Sequence, residues 1–366
     1  MPFDATDIAL SFVKIGITLF MLLNVAPVMN WVERRGSALI QDRPGPNRVG
    51  PFGLFQTIAD ALKFFFKEDI IPAQAHRSLY MIAPAIGLLP ALTTLAVVPW
   101  GRPFLLHERT LFGRTVFQGG RWFEPIVADV NAGILVIFGL ASLSVYGVTI
   151  AGWSSANKYS FFGAIRSSAQ MISYELALGL AAVSALLVAG SLRLTEVVAG
   201  QTGYFVLFDT IKFPAWNVLS PAMWLSFIIF SVSAFAETNR LPFDFAEAEA
   251  ELVAGYHTEY SSMKFALFFM GEYMSMFTMA ALVTTLFLGG WDVPWYNEPA
   301  TFGGFLISFI SFLLKVSFLM FVFVWVRWTI PRLKYDILMR IGWKVFLPLA
   351  IVNILLVAGF IAKGWI

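Results

Sequence analysis

Residues 237–259 read ETNRLPFDFAEAEAELVAGYHTE, and they lie between two apolar runs, SPAMWLSFIIFSVSAFA (220–236) and FALFFMGEYMSMFTMAALVTTLFL (265–288). The stretch sets Glu237, Asp244, Glu247, Glu249, Glu251 and Glu259 against one permanent cation, Arg240. Both flanks have the length and composition of membrane spans, so the acids are tethered at or near a bilayer. A charge at membrane depth costs about 2.5–3.5 kcal/mol on insertion scales and marks function. Crowded carboxylates raise one another's pKa, so some of these groups hold protons near neutrality. Two readings follow: a proton-handling element between two spans, or a solvated acidic loop.

Working outward, the 366-residue chain is 58% hydrophobic and only 13% charged, half the ~25% of a soluble domain. It reads as an all-α polytopic membrane protein, a single membrane domain over 1–366. Cysteine is absent, which excludes disulfides and thiolate-held zinc or iron–sulfur clusters. The histidines are His76, His107 and His257, and none sits mid-run, which argues against a membrane haem. No metal site, covalently bound cofactor or nucleic-acid tract is read here, and if the chain works in redox chemistry the electrons are carried elsewhere. The opening MPFDATD has no basic segment, so the first apolar run is expected to be a retained span.

About eight runs approach the roughly 20 residues a crossing requires. They lie near 10–32, 79–100, 128–151, 161–189, 218–238, 263–289, 303–328 and 343–363. Lys and Arg concentrate in the loop 33–78 and again in 327–344, which places those loops in the cytoplasm and both termini outside. The acidic loop, 237–262, then falls on the cytoplasmic side as well.

Within 33–78, Pro44–Gly45–Pro46 predicts a stiff turn. Gln56, Asp60, Lys63 and Lys67 then follow at i, i+4, i+7 and i+11, with Leu54, Phe55, Ile58, Leu62, Phe65 and Phe66 on the other side. This amphipathic segment is expected to lie in the membrane interface, either as an anchor or as the floor of a site for a lipid-soluble ligand. In RSSAQMISYE, Arg166, Gln170 and Ser173 share one helical stripe and Glu175 faces away, inside an apolar run. Arg166 also fits a snorkelling anchor. Pro242 is expected to break the backbone, and a helix beyond it would align Asp244, Glu247 and Glu251. Glu272 lies eight residues past Lys264, about 12 Å along a helix, and Lys315 is a candidate counter-ion for it. Asp336 is expected to pair with a neighbouring cation, and no site is read in the loop 101–127.

The segments ERRGSALIQDRPGPNRVGPFGLFQTIADALKFFFKE, RSSAQMISYE, ETNRLPFDFAEAEAELVAGYHTEYSSMKFALFFMGEY and RWTIPRLKYDILMRIGWKVFLP carry a resemblance. In that order they resemble the H-subunit family of bacterial NADH–quinone oxidoreductase, the counterpart of mitochondrial subunit 1 of respiratory complex I. The resemblance implies eight spans, with the second to sixth bundled like half of an antiporter, and a quinone chamber entered near the first and sixth spans and the interfacial helix. It implies a translocase subunit with no complete active site of its own, in the bacterial inner membrane or, if organellar, the mitochondrial one. Quinone is the implied substrate. The implied partners are peripheral quinone-site and iron–sulfur subunits, with FMN also carried elsewhere, small membrane-arm subunits and lipid. By motif, Glu33, Arg34, Arg35, Asp60, Lys63 and Arg240 fall at the chamber. Glu175, Glu237, Asp244, Glu247, Glu249, Glu251, Glu259 and Glu272 fall on the relay that couples quinone to proton movement, with Arg166 beside them. The family often has AEGE where this chain has AEAE, so Ala248 alters only local loop geometry.

Three rival readings stand beside this one. A standalone proton-coupled transporter would transport as a purified single chain. The equivalent subunit of a membrane-bound hydrogenase-type complex would copurify with nickel-iron rather than NADH-oxidising flavoprotein subunits. A purely structural anchor leaves the intramembrane acids unexplained.

Overall fold

In the computed structural model the described residues are 5–364, apart from 107–108, 112–113, 118–119, 208–210, 247–248 and 297. Helix α1 (Ala5–Ile40) is followed by the short amphipathic α2 (Gln56–Phe66) and then α3 (Arg77–Thr94). Four short strands come next: β1 (Phe104–Leu106), β2 (Arg109–Leu111), β3 (Arg114–Phe117) and β4 (Arg121–Phe123). Helices α4 (Gly133–Ser154), α5 (Lys158–Ala189) and α6 (Leu194–Gln201) lead to the hairpin β5 (Tyr204–Leu207) and β6 (Ile211–Pro214). The chain continues as α7 (Trp224–Glu237), α8 (Glu249–Leu252), α9 (Ser262–Phe287), α10 (Phe302–Thr329), α11 (Tyr335–Ile341) and α12 (Leu347–Ala362).

Seven helical segments among the described residues are long and apolar enough to cross a membrane, and an eighth apolar one, Pro221–Glu237, is shorter. These match the eight runs read from the sequence. The fifth is short because polar residues begin at Glu237, where the helix stops. The small β-hairpins, antiparallel β1–β4, β2–β3 and β5–β6, lie in the connections at the face opposite the acidic stretch. The loop 101–127 is therefore partly structured, with Phe104 and Phe123 packed on Phe305 of α10.

The apolar core runs through α3, α4, α5, α7 and α9, and α9 is buried along most of its length. Two glycine contacts bring its elements close. A Cβ on Gly147 of α4 would lie 2.6 Å from the backbone nitrogen of Gly87 on α3, and one on Gly163 of α5 would lie 2.7 Å from the Cα of Gly255. The second contact seats the turn Gly255–His257 directly on α5. The last span contains a π-helical turn, Gly342–Phe346, just before Pro348, which has no N–H to give the i−4 carbonyl.

Candidate functional site

The site begins where α7 ends. Asn239 adopts a left-handed φ of 49°, which turns the chain out of the helix, and the Leu241–Pro242 peptide that follows is cis. Helix α5 receives it through buried polar groups. Gln170 Nε2 donates to the carbonyls of Ala236 (2.8 Å) and Phe243 (2.7 Å), and Ser167 Oγ donates to Asn239 Oδ1 at 3.1 Å. A buried backbone that has left its helix requires such partners. Leu333 N donates to Pro242 O, and Arg332 lies 3.6 Å from Asp244, so the segment after α10 closes the far side.

This path delivers Arg240, 5% exposed, into the gap between α1 and α9. Its guanidinium stands 3.8 Å from Glu33 of α1 and 3.7 Å from Glu272 of α9, and it stacks over the Tyr273 ring at 4.3 Å. Glu33 also accepts from the Tyr273 hydroxyl at 2.5 Å and from Arg327 of α10. Two buried carboxylates, two guanidiniums and a phenol thus form one network across α1, α9 and α10. Pairing on this scale is what allows charges to remain away from water.

On its other side Glu272 accepts from the Tyr256 hydroxyl at 3.2 Å and faces a cavity of about 60 Å³. Glu237, Ser144, Asn239 and Thr278 also line it. Its volume is several times the ~10–15 Å³ that one water requires, and although most of the wall is apolar, the carboxyls of Glu237 and Glu272 and the hydroxyls of Ser144 and Thr278 give water polar partners. Glu237 is 5% exposed, and its Oε2 is buried with no hydrogen-bond partner among the described residues. Glu175 accepts from Ser142 of α4. His257, in the turn behind Tyr256, is enclosed by Phe265, Phe268 and Phe269. Burial pushes its pKa down to about 3, and the positive charge of Arg240 reinforces this, so the imidazole is neutral at physiological pH.

A separate charged cluster joins α1 and α2. Arg34 pairs with Asp60 at 2.6 Å, and Lys63 lies 3.7 Å from the same carboxylate. Ser262 at the head of α9 donates to Phe64 O at 2.8 Å, fixing α2 against α9. Ile58, Leu62, Phe65 and Phe66 stay exposed on the outer side of α2, the surface an interfacial helix turns to lipid.

A family model described as NADH dehydrogenase matches residues 13–358. The chain belongs to the NADH dehydrogenase family. It is 46% identical over 364 residues to the NADH-quinone oxidoreductase H-subunit 1 of Geobacter metallireducens, covering 99% of this chain and 98% of that protein. The H-subunit of the Salinibacter ruber NADH-quinone oxidoreductase is 45% identical over 360 residues (95% and 96%), and subunit 8 of the Rhodothermus marinus one is 45% identical over 354 (93% and 94%). This member of the NADH dehydrogenase family is accordingly a membrane subunit of an NADH–quinone oxidoreductase.

Of the residues singled out in the sequence of this NADH dehydrogenase family member, Glu33, Arg240 and Glu272 meet in one network, and Glu237 joins Glu272 at the cavity. Arg34, Asp60 and Lys63 form a separate cluster at α2. Arg35 is turned aside, donating to Pro46 O and stacking on Phe52. Glu259 lies apart, accepting from Asn157 at 2.6 Å. A single helix that would align Asp244, Glu247 and Glu251 does not form. Asp244 lies in an irregular segment held by Arg332, and Glu251 in the four-residue α8 pairs with Arg166 at 2.5 Å, because the chain after Pro242 follows polar anchors on α5 and 332–333. Glu247 lies outside the described residues, and Glu249 opens α8. Lys315 does not meet Glu272. Its ammonium is held by carbonyls at the far end of α9, beginning sixteen residues on, about 24 Å of helix. Asp336 makes no ion pair among the described residues and instead sits in the first turn of α11, where the helix dipole favours it.

Tyr273, Arg327, Tyr256 and Ser142 join the site without having been singled out in the sequence. A signal exists for Tyr273, which follows Glu272 directly, and for Arg327, the cation in the last turn of α10. None exists for Ser142, whose role depends on the packing of α4 against α5.

Proposed function

We propose that this chain walls the route of quinone between α1, α2 and α9 and couples quinone reduction to proton translocation. The observation that carries the reading is Arg240, a single guanidinium within 4 Å of Glu33 towards the α1–α9 gap and of Glu272 at the cavity. A change of charge near Glu33 alters how strongly Arg240 holds Glu272, and hence the proton affinity of Glu272 and of Glu237 across the cavity. The acidic stretch, with Glu175 and the Arg166–Glu251 pair, frames this relay. No bond to quinone is made or broken by this chain. Electrons reach quinone through peripheral partners that carry FMN and iron–sulfur clusters, and small membrane-arm subunits receive the protons or field change. The excess of Lys and Arg at the acidic-stretch face supports a cytoplasmic position for that face and the cell inner membrane as the location of the chain.

The test is Glu272→Gln in membranes containing the assembled complex. NADH–quinone reductase activity and proton uptake are expected to fall together, about tenfold or more, while NADH oxidation by a hydrophilic acceptor stays at the parental rate. Parental quinone reduction and gradient in the fully assembled variant would refute the relay.

A further inference from the structure

The last span carries charges that the relay does not use. Helices α11 and α12, with the π-helical turn between them, form one helical run over Tyr335–Ala362, 28 residues or about 42 Å. That exceeds the ~30 Å of a hydrocarbon core. Between Lys344 and Lys363 the chain has no charged residue over 18 positions, about 27 Å of helix, which matches the core. Lys344 therefore stands at the edge of the bilayer on the acidic-stretch face. Arg340, four residues earlier, stands one turn further out, among the lipid head groups.

This end of the run is fixed on α5. Tyr174 OH donates to Leu338 O at 2.9 Å, and Trp343 Nε1 donates to Ser173 Oγ at 3.1 Å. Gly342 packs on the Tyr174 ring, where a Cβ would lie 3.3 Å from it. Leu338 and Gly342 are buried by these contacts, whereas Lys334, Arg340, Trp343 and Lys344 face outward and are exposed. The preceding cations are taken, Arg327 by Glu33 and Arg332 by Asp244. Among the described residues Lys334, Arg340 and Lys344 make no ion pair, and the one acid of α11 is Asp336, in its first turn. The collar is thus net positive. Directly below it the surface is apolar. The Trp343 ring is half-exposed, its N–H already donated, and Pro348, Ile351 and Leu355 follow Lys344 at four, seven and eleven residues, all exposed.

We propose that this collar binds the head group of an anionic phospholipid, its phosphate held by Arg340 and Lys344 and its acyl chains laid along Pro348, Ile351 and Leu355 of α12. A ligand for this surface carries negative charge joined to a long hydrocarbon, because the cations sit at head-group depth and an exposed apolar stripe continues from them towards the bilayer centre. An acidic segment of another subunit would match the cations and leave the stripe uncovered. Arg340 supplies the planar fork that suits phosphate oxygens, and Lys344 adds a point charge one turn away. Basic side chains beside the ends of spans attract anionic lipids, each strengthening the attraction about fivefold near the surface. The site stands apart from the relay and adds a lipid ligand to this chain.

The experiment uses the purified assembled complex in phosphatidylcholine nanodiscs with a trace of photoactivatable lipid, either phosphatidylglycerol or phosphatidylcholine. Labelled peptides are identified by mass spectrometry. Phosphatidylglycerol is expected to label the segment 335–356 at least about fivefold more than phosphatidylcholine does. Arg340→Gln combined with Lys344→Gln removes that preference, and Arg340→Lys keeps most of it. Inorganic phosphate competes no better than chloride of equal ionic strength, since it has no chains. Equal labelling by the two lipids in the parental complex overturns the proposal, as does a preference that survives in the double variant. Competition by inorganic phosphate beyond its ionic strength also overturns it, reducing the collar to a general anion site. So does an absence of lipid labelling with an amine-reactive crosslink from Lys344 to a partner subunit, which makes the collar a subunit interface. The parental comparison decides the matter even where the double variant fails to assemble.

Discussion

Replacing Arg240 with Met is expected to lower NADH–quinone reductase activity by at least about tenfold while electron transfer to a hydrophilic acceptor is preserved. Methionine fills much of the same volume, so the loss is one of charge. Glu33 keeps Arg327, but Glu272 loses the cation 3.7 Å away in a site only 13% exposed. Breaking a buried ion pair costs about 3–5 kcal/mol, because the remaining charge is left uncompensated. Glu272 is then left without its counter-charge and no longer responds to the state of quinone. Only about 1.4 kcal/mol on a rate-limiting barrier gives a tenfold loss, so the expected effect is conservative. Arg240→Lys, with one compact ammonium in place of the fork, can hold one carboxylate but not both, and intermediate activity is expected. Parallel assays of both acceptors in the same membranes decide the matter. An equal fall in both activities would indicate lost assembly instead.

Glu237→Leu is expected to give a different phenotype: quinone reduction within a few-fold of parental, but a proton gradient reduced by at least half. Among the described residues Glu237 makes no ion pair with the Arg240 network. It contributes an unpartnered carboxyl oxygen to the cavity wall. Leucine removes the only group at that position able to hold a proton and makes that wall apolar, which disfavours water there. Glu237→Gln separates the two causes, since the amide keeps hydrogen-bonding capacity but cannot ionise. An equal defect in Gln and Leu points to proton carriage, whereas a defect in Leu alone points to hydration. Gradient measurements in sealed vesicles, normalised to NADH oxidised, provide the comparison.

The spans are legible because each is a long apolar run, and α2 is legible because Gln56, Asp60 and Lys63 repeat at helical spacing. Pro242 correctly predicts the break after α7. What lies beyond it is not legible, because a carboxylate spacing of three and seven says nothing once the backbone is not helical. Asn239 and Gln170 decide that path through contacts between distant segments. The meeting of Glu33 with Arg327, 294 residues away, has no local trace either. Glu272 and Lys315 illustrate the limit most clearly. Opposite charges on consecutive spans suggest a pair, yet the end of α9 lies inside the protein, and its carbonyls claim the lysine. Glu237 is the converse case, a residue at the edge of an apolar run that packing turns into the wall of an internal cavity.

Redox-induced infrared difference spectroscopy on the complete enzyme, as quinone is reduced, tests the central claim most directly. If Arg240 links the quinone side to the cavity, reduction changes the protonation of Glu272, and its carboxyl band is lost in Glu272→Gln and in Arg240→Met. A carboxyl difference spectrum identical in the parental enzyme and both variants, with quinone fully reduced, would contradict it.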